Sequence, residues 1–470
     1  MSNFRPIDRA TVFLLPPSVD EWLPQRHLAC FVVEVIDKLD LSNMSRAYRG
    51  SGSASYHPAL LLGLLVYGYA TGVFSSRKIE RATFDSVAFR FIAANDHPDH
   101  DTLATFRRRF LKDIERLFVD VLMLAREMGM LQLGTVALDG TKIHANASRH
   151  SALSYEHAGK LEAQLRQEVI ELLRLAESED RADVPDGMSI PHELAIRDDR
   201  LQRIGEARAT IEARARERFA QAQAEYAAKL SAREKKAQAT GKTPRGKPPA
   251  PPVSGPGPTD QVNLTDEESR IMKVSGGGFE QSYNAQAVVA SESLLVVAQD
   301  VVQDTHDKQQ VAPMVKKLSK LPDALGRAGT LLADNGYLSE ANVNCCDAAK
   351  IVPLISLGRE RHHPTWKDRF AESPPPLPEN LPPMAAMAHR LATKAGKHCY
   401  ALRKQIPEPV FGIIKSVMGF RQFSLRGLQK VKGEWNLSRK SSSPFQFTRR
   451  LQPSVRQAAR PPNLWAVLVS

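Results

Sequence analysis

The sequence contains few cysteines and no long apolar run, and both absences narrow the class of protein. Its 470 residues include four cysteines but no C-x-x-C pair, which argues against a disulfide framework and against a zinc knuckle. The most apolar stretch, Ala59 to Phe74, is shorter than the roughly 20 residues that cross a bilayer, and it indicates a buried helix. The first residues lack the basic-then-apolar pattern of a signal peptide. We therefore expect a cytoplasmic protein that makes no contact with a membrane.

Acidic residues are scarce at one end of the chain. The net charge is +12, but from Arg390 to Arg460 there are 16 lysines and arginines against two acids, Glu408 and Glu434. This part is either a solvated basic tail or a surface that contacts phosphates. The second reading favours a polyanionic partner, whose binding would weaken steeply with salt. The length predicts two to three structural units.

Helical periodicity dominates from about residue 26 to residue 130. Apolar side chains recur at helical spacing from Phe31 to Leu39, and Asp101 is placed to cap a helix that contains Arg107 and Arg108. Short helices that end in an arginine-rich one are typical of a helix-turn-helix reader of the DNA major groove. A plain helical bundle with solvated arginines fits the same pattern equally well.

The pattern then changes to short apolar segments that are typical of strands. Ser291-Glu292-Ser293 joins two of them, which predicts a hairpin, and Asp307 and Ser339 are placed to cap two helices. Their order along the chain predicts a mixed α/β sheet. The five predicted strands cover residues 133–138, 283–290, 294–301, 330–333 and 351–355.

Two kinds of segment interrupt this sheet. From Ser154 to Lys236 the chain is rich in Ala, Glu, Arg and Gln and carries two apolar stripes, which predicts an inserted helical hairpin or coiled coil. A proline-rich linker, Thr243 to Pro258, should be flexible or extended, and a second one, Ser373 to Pro383, separates the last strand from the basic C-terminal part. The stripes are Leu161, Leu165, Val169 and Leu172, and Leu194, Leu201, Ile204 and Ile211.

Asp139 and Asp334 are the best candidates for chemistry. Each follows an apolar strand and precedes a glycine, Gly140 or Gly336. Mg²⁺ prefers oxygen ligands and takes one or two carboxylates, and open α/β sheets bind ligands at strand ends. Asp-Gly and Asn-Gly are also common turns, so each aspartate alone could be a turn residue. We read three other acids, Asp300, Asp304 and Asp307, as cap and edge residues.

Four ordered blocks resemble those of bacterial insertion-sequence transposases of the DDE class. The first is Leu138 to Ser148, LDGTKIHANAS, and together with a helical N-terminal part the resemblance covers roughly residues 15 to 437. The later blocks are Asn263 to Asp266 with Tyr283 to Gln286, Ala333 to Tyr337, and Glu408 to Lys415. The resemblance implies an α/β fold, with an RNase-H-like mixed sheet, an all-helical N-terminal domain and an inserted helical hairpin.

The resemblance also implies three metal ligands and a DNA-binding surface. Asp139, Asp334 and Glu408 would hold catalytic Mg²⁺, for which Mn²⁺ could substitute. Rivals for the third position lie in polar, proline-rich sequence: Glu360, Asp368, Glu372 and Glu379. Residues that would contact DNA are Arg107, Arg108, Lys142, Tyr400, Arg403 and Lys415; Tyr337 is a weaker candidate. An ordinary solvated basic face is the alternative for these residues.

Two features depart from the family pattern. Arg403 and Glu408 stand one residue further apart than expected, and Pro407 and Pro409 flank the glutamate. After Leu437 the family's apolar closing helix is replaced by a basic tail without helical period. We expect this tail, residues 438–470, to be disordered and to have diverged from the family; a reading-frame change would account for it.

The domain prediction follows from these patterns. Residues 1–130 form a helical DNA-binding domain, and residues 131–437 form the catalytic domain, which the helical insertion and linker at 151–260 interrupt. The expected activity is binding of terminal inverted repeats, metal-dependent cleavage of the element ends and transfer of the 3′ ends to target DNA. Its partners would be double-stranded DNA and a second copy of the chain, in the cytoplasm at the nucleoid. Alternatives are an inactive relic or DNA-binding repressor, and a nuclease of the same fold that acts on RNA.

Overall fold

The computed structural model describes most of the chain in seven segments. These are residues 19–24, 27–48, 55–177, 188–241, 246–274, 277–358 and 381–438. Residues 439–470 of the predicted C-terminal tail, residues 373–380 of the second proline-rich linker and the four rival acids between Glu360 and Glu379 lie outside them. Of the tail only Ser438 is described, and it is buried; Pro383, the last residue of the linker, begins a helix. No helix in the described segments is long and apolar enough to cross a membrane.

The described residues form two compact units. The first combines residues 1–144 with residues 283–470, and the second consists of residues 145–282. The predicted N-terminal and catalytic domains thus fall largely within one unit. The second unit begins six residues before the predicted insertion and ends 22 residues after it.

The N-terminal part of the first unit is entirely helical. Leucine-rich α3 is buried on almost all sides, because it packs against α1, α4, α5 and α6. Asp99 rather than Asp101 caps α6: its side chain accepts the Thr102 amide at 2.7 Å, so the cap lies two residues before the predicted one. The helices are α1 (Leu28–Asp37), α2 (Ser42–Arg46), α3 (Pro58–Ala70), α4 (Ser76–Asp85), α5 (Val87–Ile92), α6 (His100–Arg109) and α7 (Leu111–Glu127).

A mixed sheet follows in the same unit, as the sequence predicted. The strand order is β6, β5, β1, β7, β8; β5 and β6 are antiparallel, whereas β1, β7 and β8 are parallel. Helices α10, α11 and α12 pack on strands of this sheet or on one another. The strands are β1 (Thr135–His144), β5 (Phe279–Ala290), β6 (Val296–Val302), β7 (Thr330–Ala333) and β8 (Val352–Ile355), and the helices are α10 (Val311–Leu318), α11 (Glu340–Ala348), α12 (Pro383–Ala392), α13 (Lys394–Ala401) and α14 (Pro407–Gly412).

Strand β1 is longer than its apolar run predicts. It continues through Asp139 and Lys142 to His144, so Asp139 lies inside a strand and not at its end. The polar half of β1 remains extended because it has neighbours: β5 lies on one side, and His144 exchanges backbone hydrogen bonds with Arg421 and Phe423. A polar strand is stable when both of its edges are paired.

The second unit contains the helical hairpin that the sequence predicted. Helices α8 (Tyr155–Glu177) and α9 (Ile190–Thr240) pack against each other through a small apolar core. Strands β2 (Ala152–Ser154) and β3 (Gln261–Asn263) form a two-stranded sheet at the base, and β4 (Arg270–Lys273) pairs with the first residues of β5. The core residues are Leu153, Ala158, Leu165, Ile204, Ala207, Ile211 and Val262.

The described part of the first proline-rich linker is tied to α9. Arg233 donates to the carbonyl oxygens of Gly246 and Lys247, and Arg218 forms two hydrogen bonds with the Asp260 carboxylate. Residues 246–258 form neither helix nor strand.

Candidate active site

Asp139 and Asp334 occupy equivalent positions on adjacent parallel strands. The register pairs Ala137 of β1 with Leu332 of β7, and each aspartate is two residues further along its strand direction. Neighbouring strands lie about 4.8 Å apart, and residues two apart point to the same face. The two carboxylates are therefore neighbours, as the sequence predicted, although only Asp334 follows the end of its strand.

The surroundings of Asp139 oppose its negative charge. Burial raises the pKa of Asp139 to about 6, and the charges of Asp334 and Asp307 act in the same direction. The Gly140 amide, which donates to Asp139 Oδ1 at 2.8 Å, and the Arg403 guanidinium offset part of this rise. A cation bound beside Asp139 would relieve both the burial cost and the repulsion.

Asp307 is a site residue that sequence reasoning assigned wrongly to a helix cap. The residue before α10 is Gln310, and the Asp307 side chain instead faces β5. Its Oδ1 accepts the Asn284 and Gln286 amides, each at 2.7 Å, and lies 3.5 Å from Lys142 Nζ. The sequence does contain a signal for this contact. Asn284 and Gln286 are two amide side chains in an otherwise largely apolar strand, and both are fully buried, so they need a polar partner.

Tyr337 closes this network from the other side. Its hydroxyl donates to Gln286 Oε1 at 2.5 Å, and the residue is fully buried. Burial raises the pKa of Tyr337 well above its usual value, and the charges of Asp307, Asp139 and Asp334 add to the effect. Tyr337 therefore remains a neutral donor among the carboxylates rather than a residue that faces DNA.

Two lysines meet on β1 close to these acids. Lys415 Nζ donates to the Lys142 carbonyl oxygen at 3.0 Å. Burial lowers the pKa of both lysines, while the negative charge of Asp139 opposes the change at each. The site thus combines carboxylates with partly desolvated ammonium groups, a pairing suited to a phosphate and a metal ion.

Glu408 stands apart from the two aspartates. It is exposed in the first turn of α14, with Pro407 at the start of the helix as the sequence allowed. Helix α14 packs against β1, the strand of Asp139. Among the described residues, however, no group of three or more His, Cys, Asp or Glu is close enough to hold one metal ion. In this conformation Glu408 does not complete a three-carboxylate site.

Tyr400 and Arg403 line a basic depression beside α13. The Arg403 guanidinium carbon lies 6.0 Å from the centre of the Tyr400 ring, and Lys397 and Lys404 also line the depression, which has a volume of about 270 Å³. The charge of Arg403 also reaches Asp139. A 3-10 turn, Leu402–Gln405, separates α13 from α14, so Tyr400 and Glu408 lie on separate helices.

The two candidate arginines of α6 differ in placement. Arg108 is exposed, whereas Arg107 is half-buried and donates to the Tyr69 hydroxyl at 3.2 Å. The buried Glu434 carboxylate acts electrostatically on both Tyr69 and Arg107. The prediction that Arg107 contacts DNA is therefore not favoured by its position, because its charge is already used inside the protein.

A sheet of this order, with paired carboxylates on its two central parallel strands, defines an RNase-H-like catalytic domain. Residues 17–109 match the transposase domain (DUF772), and residues 250–439 match the transposase DDE domain. The two matches together cover about three fifths of the chain; Asp334 and Glu408 lie within the second, and Asp139 lies outside both. No match to a curated protein or to a solved structure was found. The chain belongs to the insertion-sequence transposases of the DDE class, which act on DNA.

Enzymes of this class generally use divalent metal ions, and the residues present fit such an ion. Asp139 and Asp334 supply oxygen ligands from neighbouring strands, and two carboxylates are the usual protein share of a magnesium site. Burial is the main cause of the raised pKa of Asp139, and the nearby carboxylates add to it; a bound cation would offset both effects.

Proposed function

We propose that this transposase binds the terminal inverted repeats of its element, cleaves the element ends and joins the freed 3′ ends to target DNA. The observation that supports this most is the in-register pair Asp139 and Asp334, with the partly desolvated Lys142 and Lys415 beside it. Bound Mg²⁺ or Mn²⁺ would supply a nucleophile at neutral pH and stabilise the leaving oxyanion.

The residues of the chain would divide the remaining work. Asp139 and Asp334 hold the metal and fix its position against the sheet, and Lys415 and Arg403 contact the phosphate that is cut. Tyr400 offers an aromatic face in the adjoining basic depression. Exposed Arg108 of α6 contributes to binding by the N-terminal helices. Water is the nucleophile in the first step and the freed 3′-hydroxyl in the second, so no covalent protein–DNA intermediate forms.

Glu408 would complete the site when DNA is bound. Its helix already packs on the strand of Asp139. A local rearrangement of α14 would therefore let Glu408 serve as the third ligand. The five residues that follow α14, Ile413–Val417, form a π-helix that carries Lys415. Such wide turns are common at functional sites. Cleavage of two ends together would require two copies of the chain on DNA.

Cleavage of a DNA duplex that carries the element end tests this proposal. Purified protein with Mg²⁺ should cut the end, and Asp139→Asn, Asp334→Asn and Glu408→Gln should each lower the rate by at least about a thousandfold. All three should still bind the duplex in EDTA. Asp347, an exposed acid in the last turn of α11, provides the control: Asp347→Asn should cut normally. Unreduced cleavage by Asp139→Asn or Asp334→Asn contradicts the assignment.

An inactive DNA-binding protein is the second candidate. The observation that favours it is the separation of Glu408 from the two aspartates. Sequence-specific, salt-sensitive binding without cleavage in either Mg²⁺ or Mn²⁺ would support it, whereas cleavage that is lost in Glu408→Gln would exclude it. A preference for RNA–DNA hybrids over duplex DNA would instead identify a nuclease.

A further inference from the structure

A polar network of three buried residues and one partly exposed aspartate lies behind Lys142 and has no place in the chemistry described so far. Its members are Asn284, Gln286, Asp307 and Tyr337. The two amides also bond to each other, since Gln286 Nε2 donates to Asn284 Oδ1 at 3.0 Å. A network in which the buried amides are this well satisfied is rigid and holds its charged member in one position.

Three donor groups approach the same oxygen of the Asp307 side chain. Asn284, Gln286 and Lys142 all face Oδ1, and Asn284 is fixed further by the Asp304 carbonyl oxygen at 3.1 Å. The Lys142 side chain is only 18% exposed, so its ammonium group has few alternative positions. Asp307 is thus a fixed anchor for one particular cation.

Gly140 makes this arrangement possible. A Cβ at this position would meet Gln286 Nε2 first, and it would lie 2.8 Å from Asp307 Oδ1 and 3.1 Å from Asn284 Oδ1. Strands β1 and β5 are antiparallel neighbours. The Ser291 amide donates to the Thr135 carbonyl oxygen, and the Ala145 amide donates to the Gln281 carbonyl oxygen. Both hydrogen bonds belong to the same pairing register, in which Gly140 lies opposite Gln286. The glycine after the catalytic aspartate therefore leaves room for the carboxylate of a distant loop.

We propose that Asp307 is a positioning residue that holds Lys142 where its ammonium group contacts a backbone phosphate of bound DNA. The inference rests on the proposed function, because it requires DNA at the Asp139 site. Asn284, Gln286 and Tyr337 fix Asp307, Asp307 fixes Lys142, and Lys142 meets the phosphate. The contact is independent of the metal, so it operates during binding as well as during cleavage.

The effect of Asp307→Asn on DNA affinity should be opposite to the one that net charge predicts. Removal of an acid makes the protein more positive, and simple electrostatics predicts tighter DNA binding. If Asp307 positions Lys142, then Asp307→Asn weakens binding instead. The slope of log affinity against log salt should fall by about 0.9, the value for one lost phosphate contact.

The test is a double-mutant cycle with Asp307→Asn and Lys142→Met, measured as affinity for a labelled duplex from the element end in EDTA. Lys142→Met should weaken binding about tenfold, Asp307→Asn severalfold, and the double variant no more than Lys142→Met alone. Tyr337→Phe, which lacks only the hydroxyl that bonds Gln286, should weaken binding in the same direction. In each variant that loses the Lys142 contact, the slope of log affinity against log salt should fall by the same amount, about 0.9.

Asp300→Asn is the matched control. Asp300 also holds lysines, Lys317 and Lys432, each at 2.9 Å, and its side chain is only 13% exposed. This variant should bind DNA as the parent does. Unchanged or tighter binding by Asp307→Asn, independent effects in the double variant, or equal weakening by Asp300→Asn would each overturn the proposal. The binding measurements are made without metal, whereas the cleavage assay with Asp139→Asn requires it. A negative result in the binding measurements therefore contradicts the role of Asp307 without contradicting the proposed cleavage activity.

Discussion

Replacement of Asp139 by asparagine should make the metal-free protein more stable. Burial raises the pKa of Asp139 from its ordinary 3.8 to about 6, so the folded state binds the proton more tightly than the unfolded state. Stability is therefore lost as pH rises from about 4 through about 6. At 1.36 kcal/mol per pKa unit, the full cost is about 3 kcal/mol at about pH 8, and about half of that at about pH 5.

Asparagine removes this cost and retains most of the local structure. Its side-chain oxygen can still accept the Gly140 amide, which bonds Asp139 at 2.8 Å. Urea unfolding in EDTA should show Asp139→Asn to be more stable by up to about 3 kcal/mol at about pH 8, and by less at about pH 5. Added Mg²⁺ should stabilise the parent more than the variant, because only the parent retains both carboxylates.

Asp300→Asn should change stability in the opposite direction. Burial alone would raise the pKa of Asp300, but Lys317 and Lys432 outweigh burial and hold it below its ordinary value. The ionised form therefore stabilises the fold at neutral pH, and this contribution is lost as pH falls. The reasoning about Asp139 is refuted if Asp139→Asn unfolds at the same or lower urea concentration than the parent at about pH 8.

Two further substitutions test the packing around the site. Gly140→Ala should lower the free energy of unfolding by about 1–3 kcal/mol, because the added methyl meets Asp307 Oδ1, whereas Gly134→Ala enters open space and should be close to neutral by thermal unfolding. Glu434→Ala should lower the free energy of unfolding by about 1–3 kcal/mol, since both carboxylate oxygens accept the Ser424 amide at 3.0 Å; an unchanged midpoint of thermal unfolding would contradict this.

The sequence predicted the parts of the fold that local patterns encode. The strand at Thr330–Ala333 has the predicted limits, and Ser339 caps α11 as expected, because both depend on residues close in the chain. The pair Asp139 and Asp334 was identified for a similar reason: each aspartate follows an apolar run. Their exact juxtaposition depends on the register of β1 and β7, which no local pattern specifies.

The parts that were missed depend on distant contacts. Asp307 was taken for a cap because it precedes a helical pattern, but its charge is used by amides more than 20 residues earlier in the chain. The polar half of β1 resembles a loop until its neighbours on both sides are known. Arg107 belongs to an arginine-rich helix of the kind that often contacts DNA. Its hydrogen bond to Tyr69, 38 residues earlier in the chain, shows that its side chain is directed towards the protein interior.

The aromatic contact between α3 and residues near the end of the described chain has a consequence for biosynthesis. The Phe74 and Phe420 rings lie 5.1 Å apart in an edge-on contact, and Tyr69 packs on Phe420 at 6.3 Å. These partners are separated by roughly 350 residues, which a ribosome adds in roughly 20–70 s. During that interval α3 exposes an aromatic surface without its partner. The nascent N-terminal helices therefore reach their final packing only after nearly the whole catalytic domain has been made.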